Sequence, residues 1–123
     1  MIKIALLLRK KAGTTREQFI DYYENRHVPL IMELTGKYIV EYKRNFICWD
    51  DPLSAMSAAY YVDPDGQPSF DVITEIWVRN RETMMAMFAR AQEPEIADII
   101  ARDEENCFDR DASRMMIVEE HPL

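Results

Sequence analysis

The chain has 123 residues, 48% of them hydrophobic, and a formal net charge of −7 at pH 7. This length and apolar fraction suit one domain with one core, so we predict a single domain over residues 1–123. The negative charge argues against nucleic acid and anionic membrane surfaces as partners, since both need a basic face. No apolar run is long enough to span a membrane, and apolar residues 4–8 precede basic residues, the reverse of a signal peptide. We therefore expect a cytoplasmic protein.

The cysteines and histidines do not form a metal-ligand motif. Cys48 and Cys107 are far apart in sequence, as are His27 and His121. Cysteines of this kind in a cytoplasmic chain are usually reduced and structural. The sequence also contains no nucleotide-binding loop and no nucleophile elbow. We therefore expect neither a metal nor an organic cofactor.

The first part of the chain has the pattern of a strand, a helix and a second strand. Residues 2–9 are leucine-rich and β-branched, which favours a short strand. Thr14 followed by Glu17 fits a capping box, so we predict that a helix begins there. Apolar residues then recur every three or four positions until Gly36, a suitable helix end. Residues 38–48 alternate in polarity and predict the second strand.

The second part of the chain begins with an irregular segment. Residues 49–69 contain several turn-forming Asp, Pro and Gly residues, with a possible short helix over 53–61 between them. The remaining predicted elements are a strand over 70–79, a helix over 81–92, a helix from Pro94 to about Asn106, and a strand over 113–120.

The element order is β-α-β-β-α-β, with the second helix in two pieces. This order predicts an α+β, ferredoxin-like fold, in which a four-stranded antiparallel sheet has its helices on one face. The other face would carry Leu7, Ile73 and Trp77, or the residues of opposite parity. Left open to water it would be a large apolar patch. We therefore expect a homodimer in which two such faces close on each other.

Four segments of the sequence resemble the EthD family. They are F-x-x-Y-Y-E-x-x-H-V-P-L at 19–30, DPLSAMS at 51–57, FDVITEIW at 70–77 and DEENCFDR at 103–110. The resemblance implies a dimeric α/β barrel, in agreement with the predicted fold. The resemblance implies the fold firmly and the reaction only loosely. Similar proteins on that barrel include methylmuconolactone isomerases, fungal polyketide dehydratases and decarboxylases, and cofactor-free monooxygenases.

His27 is the leading candidate for a catalytic residue. It shares a helical stripe with Phe19 and Tyr23, and the resemblance implies a catalytic histidine on the first helix. Imidazole can accept and donate protons near neutral pH. Pro29 removes a hydrogen bond from the helix beside it, and the imidazole could satisfy a carbonyl left free. The alternative is a core histidine that only bonds such a carbonyl.

Tyr23 and Glu75 are the other predicted catalytic residues. A phenol can hydrogen-bond an enolate, and a buried carboxylate suits acid–base chemistry. Glu75 lines the pocket only if its face of the strand turns inward; otherwise Thr74 and Ile76 do, and Glu75 is a solvated charge. The predicted substrate-binding residues are Tyr22, Tyr42, Trp77, Asn106, Phe108 and Asp109.

Each of these binding residues also has a purely structural interpretation. Tyrosines pack well in strands, and the acidic run at 103–110 could be a solvated face. The resemblance instead places that run near the barrel mouth. Residues 49–69, including Met56, could form a lid, since irregular segments of this length are often functional.

The expected function is a small enzyme that works without a cofactor. It would act as a lyase or isomerase, using His27 as general acid and base on a small apolar cyclic or aromatic compound with a carbonyl or hydroxyl group. The alternatives are a cofactor-independent monooxygenase and a non-catalytic ligand-binding or accessory protein.

Overall fold

The computed structural model describes residues 1–56, 64 and 66–123. Its strands are β1 (Ile2–Lys10), β2 (Ile39–Phe46), β3 (Val72–Val78) and β4 (Phe108–Val118). They form one antiparallel sheet in the order β2-β3-β1-β4. The predicted ferredoxin-like α+β fold is confirmed.

The helices follow the predicted order. They are α1 (Arg16–Tyr22), a π-helical turn (Tyr23–His27), α2 (Val28–Thr35), a 3-10 turn (Gly36–Tyr38), α3 (Pro52–Ala55), α4 (Arg81–Ala91) and α5 (Pro94–Cys107). None of the helices within the described ranges has the length and apolar character needed to cross a membrane. The predicted helix over 53–61 overlaps α3, but residues 57–61 lie outside the described part of the chain, as does much of the proposed lid.

Helix α1 begins one residue later than the sequence pattern predicts. Thr15, not Thr14, accepts a hydrogen bond from the backbone N–H of Gln18, and the Gln18 side chain accepts one from the N–H of Thr15. The Thr14 hydroxyl instead donates to the carbonyl of Lys11. The capping box is therefore present, but with Gln18 in the position predicted for Glu17.

The proline at position 29 does not break the helix. It lies in the first turn of α2, and because the preceding residues are already helical, its missing N–H interrupts the backbone hydrogen bonds there without ending the helix. The irregularity comes just before it, where the Val28 N–H bonds the carbonyl of Tyr23, five residues back. Such π-helical turns insert one extra residue into a helix and are frequent at functional sites.

Strand β3 shows which sheet face carries the helices. Its buried residues are Val72, Thr74, Ile76 and Val78, whereas Ile73, Glu75 and Trp77 point to the other face and are half-buried. Thr74 pairs with Leu6 on β1 and with Arg44 on β2. The sequence left this choice open because both parities of the strand are largely apolar.

The core between sheet and helices has two clusters of buried side chains. One contains Leu8, Phe19, Tyr23, Val72, Cys107 and Phe108. The other contains Ile4, Ile76, Val78, Met84 and Met87. The first cluster joins α1, the π-helical turn and the end of α5, and it surrounds the candidate site.

Strand β4 begins at Phe108, five residues before the predicted start at 113. Its pairing with β1 shifts between Leu7 and Arg9, so residues 110–113 form a bulge. Asp109 closes the bulge, because its side chain accepts from the Ala112 N–H and its carbonyl accepts from the Ser113 hydroxyl. The charged residues of this bulge hide the alternation that marks a strand.

Candidate active site

Three side chains, one each from α1, the π-helical turn and α5, meet on the helix side of the sheet. Asp103 on α5 accepts a hydrogen bond from His27 Nδ1 at 2.5 Å through Oδ2. Its other oxygen, Oδ1, accepts the Tyr22 hydroxyl at 3.0 Å. Both Asp103 oxygens therefore have a donor, as a buried carboxylate requires.

His27 and Asp103 are almost completely enclosed, with 6% and 7% of their surfaces exposed. The rings of Tyr23 and Phe108 contact the imidazole, with centroids 4.8 Å and 5.6 Å away. An ionised carboxylate can only accept hydrogen bonds, so Nδ1 is the donor in this pair and Nε2 is the ring nitrogen that the carboxylate leaves unoccupied. Among the residues that the structure describes, none is hydrogen-bonded to Nε2.

Asp103 faces inward because of its position on α5. The buried residues of this helix are Ile96, Asp103 and Cys107, which lie on one stripe at helical spacing. Burial, followed by the charges of Asp103 and Glu104, raises the pKa of the Cys107 thiol well above its ordinary value. Burial also raises the pKa of the Glu104 carboxyl, which pairs with Arg110 at 3.1 Å.

Tyr23, whose ring contacts the imidazole, is also hydrogen-bonded to strand β3. The Tyr23 hydroxyl is 2.6 Å from Thr74 Oγ1 on β3, and both side chains are buried. Burial raises the pKa of the neighbouring Tyr42 phenol to about 12, although the Tyr23 hydroxyl and the Arg44 guanidinium oppose the shift. Burial also raises the pKa of the Tyr23 phenol, so both phenols stay protonated at neutral pH and can act as donors.

An ion pair holds the π-helical turn against β2. The Arg44 guanidinium donates to both carboxylate oxygens of Glu24, at 3.0 Å and 2.7 Å, and to the carbonyl of Tyr42 at 2.9 Å. The fork geometry fixes orientation as well as distance. These contacts account for a charged side chain on the face of β2 that packs against the helices.

Several predicted site residues come together in this region. His27, Tyr23, Tyr22 and Phe108 are in contact around Asp103. Tyr42 lies on the same side of the sheet. Burial raises the pKa of the Tyr22 phenol, and exposed Asn106 lies close enough to oppose that rise through a hydrogen bond.

Two predicted residues lie on the opposite face of the sheet from His27. Glu75 pairs with Lys3 at 3.3 Å, and Trp77 stacks beneath the ammonium groups of Lys3 and Lys43. The Asp109 side chain is engaged in the β4 bulge, where it accepts from the Ala112 N–H.

Asp103 was not among the residues predicted for the site. It stands first in an acidic run, which is usually a solvated surface, and nothing in the composition distinguishes it from Glu104 or Glu105. The signal that could have found it is the helical spacing of four to Cys107 and seven to Ile96, both apolar.

Phe108, whose ring contacts the imidazole, is also one of the residues that line an open cleft at the start of β4. The cleft has a volume of about 800 Å³, and Glu104, Asp109 and Arg110 are among its lining residues. Within residues 1–56, 64 and 66–123, no group of three or more His, Cys, Asp or Glu side chains could hold a metal ion.

The fold and this region define a ferredoxin-like α+β protein with a buried histidine–carboxylate pair. The EthD domain model matches residues 11–111, which is most of the chain. The chain therefore belongs to the EthD family. No curated protein matches it in sequence.

Solved structures of low identity share the fold. An EthD family protein from Bacillus halodurans C-125 is 19% identical, with a TM-score of 0.58 over 98% of this chain and 100% of that one. An EthD-like protein from Ralstonia eutropha JMP134 is 18% identical, with a TM-score of 0.58 over 96% and 89% of the two chains. A dimeric ferredoxin-like protein of unknown function from Thermobifida fusca YX is 12% identical, with a TM-score of 0.50 over 95% and 88%. These similarities concern the fold alone.

Proposed function

We propose that the chain is a lyase or isomerase that uses His27 as its general acid and base. The observation that supports this proposal is the 2.5 Å contact between His27 Nδ1 and Asp103 Oδ2 in an enclosed site. A carboxylate in this position fixes the tautomer and orientation of the ring, and it stabilises the imidazolium that forms when the ring takes a proton. Asp103 is then a positioning residue, and Nε2 is the atom that exchanges protons with substrate.

The proposed substrate is a small cyclic or aromatic compound with a carbonyl or hydroxyl group. The surroundings of His27 are aromatic, with Tyr23 and Phe108 against the imidazole and Phe46 against Tyr23. Aromatic side chains of this kind favour contact with flat apolar molecules. The Tyr42 hydroxyl lies on the same side of the sheet and supplies a donor for the substrate oxygen.

The proposed chemistry is a proton transfer next to a carbonyl group. Nε2 removes a proton from the carbon beside the carbonyl, and the C–H electron pair moves into an enolate. In an elimination, the enolate re-forms the carbonyl and expels a β-hydroxyl group, which takes the proton from the imidazolium and leaves as water. In an isomerisation of an unsaturated ketone, the enolate is conjugated with the C=C bond, the imidazolium returns the proton to the far carbon, and the C=C bond moves next to the carbonyl group. Both routes restore the neutral ring.

The test is a panel of cyclic ketones, β-hydroxy ketones and hydroxylated aromatic compounds incubated with the protein in D₂O. We expect deuterium incorporation or loss of water for some members, measured by mass spectrometry, and a fall of at least about 100-fold in His27→Gln. His121→Gln is the matched control, because that imidazole lies exposed near the chain end beside Glu119. Equal rates in parent and His27→Gln would refute the proposal.

The same panel separates the alternative functions. Oxygen consumption that depends on the protein would favour a monooxygenase, and it is measured with an oxygen electrode. Saturable ligand binding without deuterium exchange, water loss or oxygen uptake would favour a non-catalytic binding protein.

We also infer that two copies of the chain associate through the sheet face opposite the helices. Leu7, Ile73 and Trp77 share this face by the β1–β3 register, and a half-buried apolar surface of this kind favours self-association. The Thermobifida fusca protein with a similar fold is described as dimeric. In such a pair His27 lies on the helix side of each sheet, away from the contact.

A further inference from the structure

The π-helical turn brings two residues to one carboxylate that a regular helix would keep apart. Tyr22 is the last residue of α1 and His27 is the last residue of the π-helical turn, so they are five positions apart. In an α-helix, residues five apart point about 140° away from each other around the axis. Here both side chains reach Asp103, one to each oxygen.

Tyr22 was predicted as a substrate-binding residue, but its hydroxyl is already engaged. It has a single proton, which it donates to Asp103 Oδ1 at 3.0 Å. Its ring packs against the buried cluster around Tyr23 and Phe108. Both features favour a structural link to the carboxylate over a direct contact with substrate.

We infer that Tyr22 is a positioning residue that acts on His27 through Asp103, so that the π-helical turn assembles a Tyr22–Asp103–His27 relay. The hydroxyl fixes the plane of the carboxylate and takes up part of its charge. It thereby sets how strongly Oδ2 holds the Nδ1 proton, and with it the direction of Nε2. This inference rests on the proposed function, because it assigns a role within the same site.

The phenol suits this role at every physiological pH. Burial, and then the hydrogen bond to the charged carboxylate, raises the pKa of Tyr22 above its ordinary value, against the opposing hydrogen bond of Asn106. The hydroxyl therefore stays protonated and remains a donor while the imidazole gains and loses its proton.

The experiment compares Tyr22→Phe with Tyr38→Phe. The first change removes the hydroxyl and keeps the ring. The second removes a hydroxyl that makes no hydrogen bond to a residue the structure describes. The first readout is the proton NMR resonance of His27 Nδ1–H, assigned by its absence in His27→Gln. It needs no substrate. In Tyr22→Phe we expect this resonance to shift, or to disappear because the proton exchanges with water. In Tyr38→Phe we expect it to remain unchanged.

The second readout is kinetic, on whichever substrate the panel identifies. We expect Tyr22→Phe to lower kcat roughly 10-fold with little change in KM, as for a lost hydrogen bond to a charged group. An unchanged Nδ1–H resonance in folded Tyr22→Phe would overturn the relay. A raised KM with unchanged kcat would also overturn it and return Tyr22 to substrate binding. An inactive parent protein whose resonance still responds to Tyr22→Phe would refute the proposed function and not the relay.

Discussion

A carboxylate as enclosed as Asp103 is costly to bury unless each oxygen has a donor, and here Tyr22 and His27 supply one each. Its neighbours in sequence have other environments, since Glu104 pairs with Arg110 and Glu105 is exposed. One residue in a run of similar charges therefore has a distinct role. Sequence composition could not single it out, because burial is decided by how α5 packs against the π-helical turn.

Asp103→Asn tests this role at the scale of one side chain. The amide keeps the shape but can donate its N–H to Nδ1, which would leave the ring proton on Nε2, the wrong nitrogen. We expect turnover to fall about 100-fold or more. The control is Asp98→Asn on the same helix, whose exposed carboxylate pairs with Arg102, and it should leave turnover unchanged. Similar activities for both variants would show that Asp103 does not act on His27.

The two cysteines should differ sharply in reactivity. Cys48 is exposed and Cys107 is buried. Burial and the nearby acidic groups raise the pKa of the Cys107 thiol, so it stays protonated at pH 8 and is a poor nucleophile. Titration with a thiol reagent should detect one fast-reacting thiol in the native parent, none in native Cys48→Ser, and two in denatured parent. Two fast thiols in the native protein would contradict the packing of α5.

At the scale of elements, the sequence pattern predicted the type and order of the strands and helices more accurately than their first residues. Hydrophobic period gave four strands and their helices in order. It could not choose between Thr14 and Thr15 as the cap of α1, because both are followed by a residue able to complete a capping box. It also gave no sign of the π-helical turn, since one inserted residue leaves the apolar spacing nearly intact. The bulge after Asp109 similarly concealed the start of β4.

Alanine substitution distinguishes the two possible caps. Thr15→Ala removes the acceptor for the Gln18 N–H, and we expect it to lower the free energy of unfolding by about 1 kcal/mol. Thr14→Ala removes only a hydroxyl bound to the Lys11 carbonyl, and it should cost less than about 0.5 kcal/mol. Urea denaturation monitored by circular dichroism measures both. The opposite order would place the helix start at Thr14.

At the scale of the whole molecule, the two faces of the sheet have different surroundings. The helix face of the sheet, with Thr74 at its centre, encloses the imidazole site. The outer face carries Ile73, Glu75 and Trp77. Alternation alone predicted that these two sets would separate, but the sequence could not say which would face His27, because each set contains apolar residues. The helices pack against one side of the sheet, and this packing decides which set of residues faces His27.

A charge on the outer face tests the proposed homodimer. We expect the parent chain to have twice the mass of one chain by light scattering. Ile73→Glu should shift it to the single-chain mass, because it places a charge in an apolar contact. Ile99→Glu, on the exposed side of α5, is the matched control and should leave the mass unchanged. A parent protein with the mass of one chain would rule out the homodimer.

The nitrogen NMR spectrum of the His27 ring tests the central claim most directly. With ¹⁵N-labelled protein above the pH at which the ring loses its charge, we expect the signals of a neutral imidazole protonated at Nδ1 and bare at Nε2. This is the tautomer that donates to Asp103 and offers a base to substrate. His121, exposed at the chain end, serves as the internal comparison within the same spectrum. A ring protonated at Nε2 would contradict the proposal, because Nδ1 could then not donate to the carboxylate and Nε2 could not accept a proton.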